Sequence, residues 1–211
     1  MNGRMLGAVL AGGRSSRFGS DKAAALLGGR TLLDLTAARL GPQVDAVLVV
    51  GRTHPALACI PDRPAPDLGP LGGLCAALRY ALDGGCRGVV SVGCDMPLLP
   101  GNLVEALAGD SAAILADCPV VGYWPAELAG RLEAHLAEGG SRAVRRWAER
   151  AAAREVRLDQ PLANVNRPAD LARIAPVADE HCGRSKTDSA GLKHVRYPGL
   201  EPGSRFFSEK G

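Results

Sequence analysis

AVLAGGRSSRFGSDK, residues 8–22, joins the end of an apolar strand to a glycine-rich turn and then to three basic side chains. The adjacent glycines Gly12 and Gly13 carry no Cβ atom, so a ligand can approach their backbone closely and φ can be positive. Successive free N–H groups in such a turn form a concave site for anions. Arg17 can hold phosphate oxygens in a planar fork, and Lys22 adds a compact positive charge. The stretch therefore predicts a polyphosphate site at the carboxyl end of the first strand.

Two common phosphate-binding motifs do not fit this stretch. A Walker loop requires G-x-x-x-x-G-K-[ST], whereas Gly19 is followed by Ser20 and Asp21 before Lys22. The dinucleotide fingerprint G-x-G-x-x-G is also absent. Taken alone, the glycine pair is more often an ordinary surface turn. The complete string is far more specific than the pair.

The composition is that of a globular chain with one core. The 211 residues are 46% hydrophobic and 22% charged, with a formal net charge of +3, which is ordinary for such a protein. This charge is too small to argue for nucleic acid, and 4% aromatic residues offer no base-stacking surface. No apolar run approaches the roughly 20 residues that span a bilayer, so no membrane partner is expected. Six cysteines without C-x-x-C spacing favour small buried side chains in a reduced, cytoplasmic protein.

Strand and helix patterns alternate along the chain, which predicts an α/β fold with a mostly parallel sheet. Strands are expected at residues 5–10, 44–50, 88–93, 111–116, 119–123 and 154–158. Helices are expected at residues 32–40, 74–82, 100–108, 125–136, 141–152 and 168–174. From residue 179 the apolar periodicity stops, so we expect one domain over residues 1–176 and a flexible tail over residues 177–211.

Glycine-rich or acidic motifs follow the predicted strands. Gly51 opens the loop after the second strand, Asp62 and the segment 69–73 come next, and Asp95 follows the strand at 88–93. Ligands of open α/β sheets bind outside the carboxyl ends of the strands, so these motifs are expected to meet residues 11–22 there. An isolated Asp-x-Pro more often caps a turn, but beside a phosphate loop Asp95 is a natural Mg²⁺ ligand.

Basic residues recur on one face of the helix predicted at residues 141–152. Their spacing is i, i+3, i+4 and i+8, which is one helical face. They are Arg142, Arg145, Arg146 and Arg150. A solvated surface is the commoner role of such a face, and a cradle for the phosphate of an acceptor is the alternative.

Taken together, the motifs resemble those of the molybdenum cofactor guanylyltransferases. Cys94-Asp95-Met96-Pro97 is similar to the metal-binding Cys-Asp-x-Pro of that family, and residues 69–73, GPLGG, are similar to its Gly-Pro-Leu-x-Gly turn beside the base. The resemblance extends, with decreasing strength, from about residue 6 to about residue 174. The other matching segments are Leu10-Ala11-Gly12-Gly13, Arg17-Phe18-Gly19, Asp21-Lys22 and Asn164-Val165-Asn166.

The resemblance implies a single-domain, Rossmann-like, three-layer α/β/α fold and a nucleotidyl transfer. A phosphate of molybdopterin carrying molybdenum would attack the α-phosphorus of GTP, release pyrophosphate and form molybdopterin guanine dinucleotide. Arg17, Lys22 and Asp95 would be catalytic, with Mg²⁺ on Asp95. The implied nucleotide site comprises Leu10, Ala11, Gly12, Gly13, Lys22, Gly51, Asp62, Gly69, Pro70, Leu71 and Asp95.

The resemblance also implies an acceptor site and partners. The implied acceptor residues are Arg142, Asn164 and Asn166. The implied partners are GTP, molybdopterin carrying molybdenum and, in transient contact, other molybdenum cofactor proteins. Neither nucleic acid nor a membrane is among them.

Three alternatives stay open. The related cytidylyltransferases typically have Leu-Ala-Ala-Gly at residues 10–13 and lack the Gly-Pro-Leu-x-Gly turn, and both differences favour guanine. Phe18 slightly favours the cytidylyltransferases, because the guanylyl family usually has Met at that position. Sugar-phosphate nucleotidyltransferases generally carry further sugar-binding segments. A catalytically silent nucleotide-binding module is the third, because the span after Asp95 is short and Cys118-Pro119 stands where the family usually has His-Pro.

Overall fold

The structure is a computed structural model that describes residues 3–12, 22–159, 162–165 and 169–174. Three predicted site residues lie outside these ranges, namely Gly13, Arg17 and Asn166. The predicted tail at residues 177–211 lies outside them too. Among the helices of the described ranges, none has the length and apolar character that crossing a bilayer requires.

Strands and helices alternate as the sequence predicts. The strands are β1 (Met5–Leu10), β2 (Leu26–Leu27), β3 (Arg30–Thr31), β4 (Ala46–Val50), β5 (Ala58–Ile60), β6 (Gly88–Gly93), β7 (Ala113–Leu115), β8 (Gly122–Pro125) and β9 (Arg154–Val156). The helices are α1 (Leu32–Leu40), α2 (Pro70–Asp83), α3 (Leu103–Leu107), α4 (Ala129–Ala137) and α5 (Val144–Arg150). Residues 169–174 are helical as well.

A mostly parallel sheet of seven strands, in the order β5-β4-β1-β6-β8-β7-β9, forms the centre of the described structure. β5, β4, β1 and β6 run parallel to one another, so their carboxyl ends share one edge. β8 is antiparallel to both β6 and β7, whereas β9 is parallel to β7. β2 and β3 form a separate hairpin, in which Gly28 and Gly29 supply the positive φ values of the turn.

The sheet is covered by helices on both faces, which gives the three layers of the predicted α/β/α fold. Successive side chains of a strand point to opposite faces. Leu6, Ala8 and Leu10 of β1 therefore belong to the core shared with α2, α4 and α5. Met5 and Val9 belong to the core shared with α1 and α3. Every residue of β1 and β6 is buried, as expected of the central strands of a parallel sheet.

Four helices begin at residues other than those predicted, α3 and α4 three and four residues later than expected. α2 begins at Pro70, so four of the five residues of the predicted Gly-Pro-Leu-x-Gly turn form its first helical turn; proline at the first helical position is favoured because its φ is already helical. α5 begins at Val144 rather than at residue 141. The carbonyl oxygen of Ser141 instead accepts a hydrogen bond from Nε2 of buried His135, at 2.9 Å.

We predict that Gly88→Ala destabilises the protein. A Cβ atom at residue 88 would lie 2.5 Å from Cε2 of Tyr123 and 2.8 Å from the carbonyl oxygen of Trp124. Overpacking of this kind costs about 2 kcal/mol, which urea unfolding monitored by circular dichroism would measure. Gly101→Ala is the matched control, because nothing lies within 4 Å of a Cβ atom there. Equal stability of the two variants would contradict the packing described for β6 and β8.

Candidate active site

Lys22 and Asp95, predicted from separate motifs, form an ion pair at the carboxyl edge of the sheet. Nζ of Lys22 lies 2.5 Å from Oδ2 of Asp95, and the two side chains are 14% and 16% exposed. Lys22 begins a short 3-10 helix, Lys22–Ala24, that follows the glycine-rich stretch. Asp95 lies two residues beyond the end of β6. The pair thus joins segments that are 73 residues apart in sequence in a weakly solvated setting, where charges interact more strongly than in water.

The backbone around Asp95 is held by three hydrogen bonds. The N–H of Cys94 donates to the carbonyl oxygen of Leu10 at 3.2 Å, and the N–H of Val165 donates to that of Asp95 at 3.0 Å. The hydroxyl of Thr36, in α1, shares its proton between the carbonyl oxygens of Leu32, at 2.8 Å, and of Cys94, at 3.3 Å. The Asp95 backbone is therefore tied to β1, to α1 and to the Asn164-Val165 segment.

Gly93 is the residue that admits the Asp95 carboxylate to this position. A Cβ atom on Gly93 would lie 2.5 Å from Oδ1 of Asp95, closer than van der Waals contact allows. The carboxylate therefore folds back over the last residue of β6. Sequence reasoning missed this requirement, although a glycine that ends a buried strand is the signal that could have found it.

The ends of β1 and β4 meet through glycine backbone. A Cβ atom on Gly51, which has φ +84°, would lie 2.6 Å from Cα of Gly12. Any other residue at position 51 would therefore push the ends of β1 and β4 apart. The N–H of Ala11 donates to the carbonyl oxygen of Val50 at 2.9 Å and thus extends the pairing of the two strands beyond their last residues.

The carboxylate of Asp62 lies against these glycines and against the start of α2. Its oxygens lie 3.4 and 3.5 Å from the Cβ position of Gly12, and Oδ1 lies 3.5 Å from that of Gly73. Burial, followed by the negative charge of Asp67, raises the pKa of Asp62. The structure therefore brings Gly12, Gly51 and Asp62 together, as the sequence predicts, around a carboxylate that is poorly solvated.

Helix α2 begins next to Asp62. Its N-cap is Gly69, with φ +65°, and within the described residues no side chain caps the helix. Nothing lies within 4 Å of a Cβ atom at Gly69, so the backbone there faces open space. The first N–H groups of a helix have no partner inside it. Of the predicted base-binding residues, Gly69 and Leu71 thus offer backbone N–H donors beside the Asp62 carboxylate, whereas Pro70 has no N–H and fixes the start of the helix.

Two thiols lie near Asp95. Burial, followed by the Asp95 charge, raises the pKa of Cys94 to about 11, and the same two causes, in that order, raise the pKa of Cys118. Cys118 lies in the turn between β7 and β8, where its N–H donates to the carbonyl oxygen of Leu115 at 3.2 Å. Both thiols are protonated at neutral pH, which argues against a nucleophilic role.

Arg52 is a candidate that sequence reasoning missed. It follows Gly51 and is half-buried. Its positive charge, like that of Lys22, favours the thiolate of Cys94 and so lowers the pKa of that thiol, although burial and the Asp95 charge raise it by more. Its loop is fixed to α1, because Nε2 of His54 lies 2.9 Å from Oδ1 of Asp34. The missed signal is a basic residue directly after a strand-ending glycine.

Two of the predicted acceptor residues, Asn164 and Arg142, lie within the described residues, and their contacts differ. Oδ1 of Asn164 is buried and has no hydrogen-bond partner among the described residues, and its neighbour Val165 contacts Asp95. Arg142 instead donates to the carbonyl oxygen of Asp67, at 3.2 Å.

The predicted basic face is wrong as a helical face, because Arg142 precedes α5. Arg145 also leaves the face to contact β7 and β9, where it donates to the carbonyl oxygen of Ala116 at 2.6 Å and to Glu155 at 2.7 Å. Arg146 pairs with Glu149 on the same helix. These arginines therefore have separate environments.

The donor set at the strand edge fits a magnesium ion that is carried by a polyphosphate. Mg²⁺ prefers hard oxygen ligands and usually combines one or two carboxylates with phosphate oxygens and water. Asp95 supplies such a carboxylate. In the part of the chain that the structure describes, no three His, Cys, Asp or Glu side chains cluster as a metal site, so a metal held by protein ligands alone does not fit there.

We predict that Asp62→Asn does not lower stability at pH 7 and changes its dependence on pH. Because the pKa of Asp62 is raised in the folded state, the folded protein binds this proton more tightly than the unfolded chain does. Wild type therefore gains stability relative to the variant as the pH falls from 7 towards 4. Thermal unfolding at several pH values measures the difference in stability between wild type and variant. A variant whose stability falls relative to wild type as the pH rises would contradict the prediction.

Comparisons with known proteins agree with this geometry. The family model described as MobA-like NTP transferase domain matches residues 7–158. A molybdenum cofactor guanylyltransferase of Cereibacter sphaeroides is 38% identical over 183 residues, which cover 81% of this chain and 95% of the relative. A protein of the same name from Rhizobium leguminosarum is 40% identical over 186 residues, which cover 79% and 89%.

A solved structure extends the comparison to the fold. Molybdopterin-guanine dinucleotide biosynthesis protein A from Archaeoglobus fulgidus superposes with a TM-score of 0.65 at 25% identity, and the match covers 86% of this chain and 100% of that one. Together with the family model and the relatives, this likeness shows that the chain belongs to the MobA-like NTP transferase family and is a nucleotidyltransferase.

Proposed function

We propose that this protein transfers GMP from GTP to the phosphate of molybdopterin carrying molybdenum, and that the products are pyrophosphate and molybdopterin guanine dinucleotide. The observation that carries the proposal is the Lys22–Asp95 ion pair at the same sheet edge as the Gly12–Gly51 contact. The relatives named molybdenum cofactor guanylyltransferase support the choice of substrates.

Catalysis of this reaction requires mainly that the protein position the two substrates and stabilise the charge that develops on the phosphate groups. A phosphate nucleophile is already deprotonated near neutral pH, so no general base is needed, and in-line attack depends on alignment. Lys22 has three N–H donors, so it can contact both Asp95 and a phosphate oxygen and stabilise the charge that develops there. Arg17 is proposed to do the same from the glycine-rich stretch.

Asp95 is proposed to hold a magnesium ion together with the triphosphate. Bound there, Mg²⁺ would supply Lewis-acid stabilisation of the phosphate charge. The contribution of this chain is the placement of the carboxylate, which Gly93 admits and the neighbouring backbone bonds fix.

Base selection is proposed for Asp62 and the first turn of α2. A poorly solvated carboxylate is stabilised by hydrogen-bond donors, and guanine presents N1–H and N2–H donors on one edge. The N–H group of Leu71, in the first turn of a helix that no described side chain caps, suits an acceptor on the same base. These two features together favour guanine over cytosine, which offers one amino group.

Acceptor binding is proposed for Asn164 and Asn166. The unpartnered Oδ1 atom of Asn164 and the bond from Val165 to Asp95 support a polar ligand near the transfer site.

We also propose that the reaction takes place in the cytoplasm with transient contact to other molybdenum cofactor proteins. We further propose a domain boundary near residue 176, which the burial of Ile174 in a cluster with Leu27 and Leu32 supports.

The proposal predicts pyrophosphate release with GTP only, and only when molybdopterin carrying molybdenum is present. The assay offers GTP, CTP, ATP and UTP in turn, with and without the acceptor. Release with CTP instead would establish the cytidylyl alternative. Release with a sugar phosphate as acceptor would establish the sugar-phosphate alternative. Release with none of them would leave the silent nucleotide-binding module.

Lys22→Ala is predicted to lower kcat about 100-fold, because it removes a cation that stabilises the transition state. Circular dichroism should show that the variant remains folded. Arg30→Ala, which removes an exposed cation from the nearby β3 strand, is the control and should retain wild-type kcat. Unchanged pyrophosphate release by the Lys22 variant would refute its catalytic role.

A further inference from the structure

The loop over residues 61–69 connects β5 to α2 and carries a proposed base-binding residue at each end, Asp62 and Gly69. Its inner side is anchored to the helix: the N–H of Arg63 donates to the carbonyl oxygen of Gly72 at 3.2 Å, and the N–H of Gly72 donates to that of Gly69 at 3.0 Å. Leu68 is buried in the core against α2. The loop therefore has a fixed base.

The outer part of this loop adopts a conformation that needs support. Asp67 has φ +61° without being a glycine, a left-handed conformation that is uncommon for L-residues, although aspartate adopts it more readily than most. Two residues later Gly69 has φ +65°. The orientation of the peptide groups that lead into α2 thus depends on what holds Asp67.

Arg142 provides one such support. Its NH1 group donates to the carbonyl oxygen of Asp67 at 3.2 Å, across 75 residues of sequence. The segment that carries Arg142 is itself fixed, because buried His135 contacts the carbonyl oxygen of the preceding Ser141. The guanidinium therefore connects the outer part of the loop to the end of α4.

Glu133, also in α4, provides the second support. Its Oε1 atom lies 3.4 Å from NH2 of Arg63, the residue after Asp62, and its Oε2 atom lies 2.6 Å from NH2 of Arg79 in α2. The hydrogen bond from Arg79 is the first of the causes that lower the pKa of Glu133, so the carboxylate is charged at neutral pH. Glu133 is thus fixed to α2 by one oxygen and holds the loop with the other.

We infer that the Glu133–Arg63 and Arg142–Asp67 contacts act together as a loop clamp, which makes Glu133 and Arg142 positioning residues for nucleotide base recognition. This inference rests on the proposed function, and it assigns Arg142 to the nucleotide rather than to the acceptor. The clamp fixes Asp62 and the peptide groups before α2 relative to each other. Neither contact of the clamp involves Lys22 or Asp95, so losing the clamp is expected to leave the proposed phosphate site intact.

The test compares clamp variants with a matched pair on the neighbouring helix. Glu133→Gln and Arg142→Gln are each expected to raise the KM for GTP three- to tenfold, which is the range of one lost charge-assisted hydrogen bond that is partly exposed. The KM for molybdopterin and the kcat should stay within twofold of wild type. Arg146→Gln and Glu149→Gln remove the exposed Arg–Glu pair of α5 and should leave all three constants unchanged.

Base discrimination separates positioning from a merely structural role. The ratio of kcat/KM for GTP to that for ITP, which lacks the N2 amino group, should fall in both clamp variants, and Arg142→Lys should restore part of it. If the substitutions only reduced the folded fraction, kcat would fall and this ratio would stay at the wild-type value. That result would overturn the inference. Clamp variants that keep the wild-type KM for GTP would overturn it too.

The activity of the wild type distinguishes a failure of the proposed function from a failure of the loop clamp. Wild type that transfers GMP, with clamp variants that behave like the α5 controls, refutes the loop clamp alone. Wild type that releases pyrophosphate from no triphosphate refutes the proposed function, and with it the inference.

Discussion

The parallel pairing of β1 with β4 on one side and β6 on the other is the constraint on which the rest of the structure depends. Three buried strands that run in one direction end at one edge, and whatever follows each strand must lie beside its neighbours. Asp95 follows β6, Gly51 follows β4 and Gly12 follows β1. The candidate active site is therefore a consequence of strand order, and its members need no proximity in sequence.

Much of this arrangement could be predicted from the sequence, because its signals are local. β1 and β6 are apolar throughout, and Thr31 caps α1 as its position indicates, with its side-chain oxygen accepting the N–H of Asp34. The general rule that ligands bind at strand ends then brought Lys22, Asp62 and Asp95 into one hypothesis. What the sequence supplied there was residue type and position relative to a strand.

The features that sequence reasoning missed depend on contacts between distant residues. β5 has three residues and forms only because β4 offers an edge to pair with. The start of α5 depends on the bond from His135 to Ser141. The need for glycine at residue 93 depends on where the Asp95 carboxylate points. None of these has a periodic pattern; the glycine at the end of β6 was the one local signal among them.

The glycine surface beneath the candidate site has an entropic consequence. Gly12, Gly51 and Gly73 surround the Asp62 carboxylate with bare backbone, which has no side-chain rotamers to immobilise when a ligand arrives. Glycine loses more conformational freedom on folding than other residues, whereas ordering a side chain at an interface costs about 0.5–1.5 kcal/mol on binding. This glycine surface therefore moves the ordering cost from the binding step to the folding step, and a nucleotide bound there, as we propose, would immobilise few side chains.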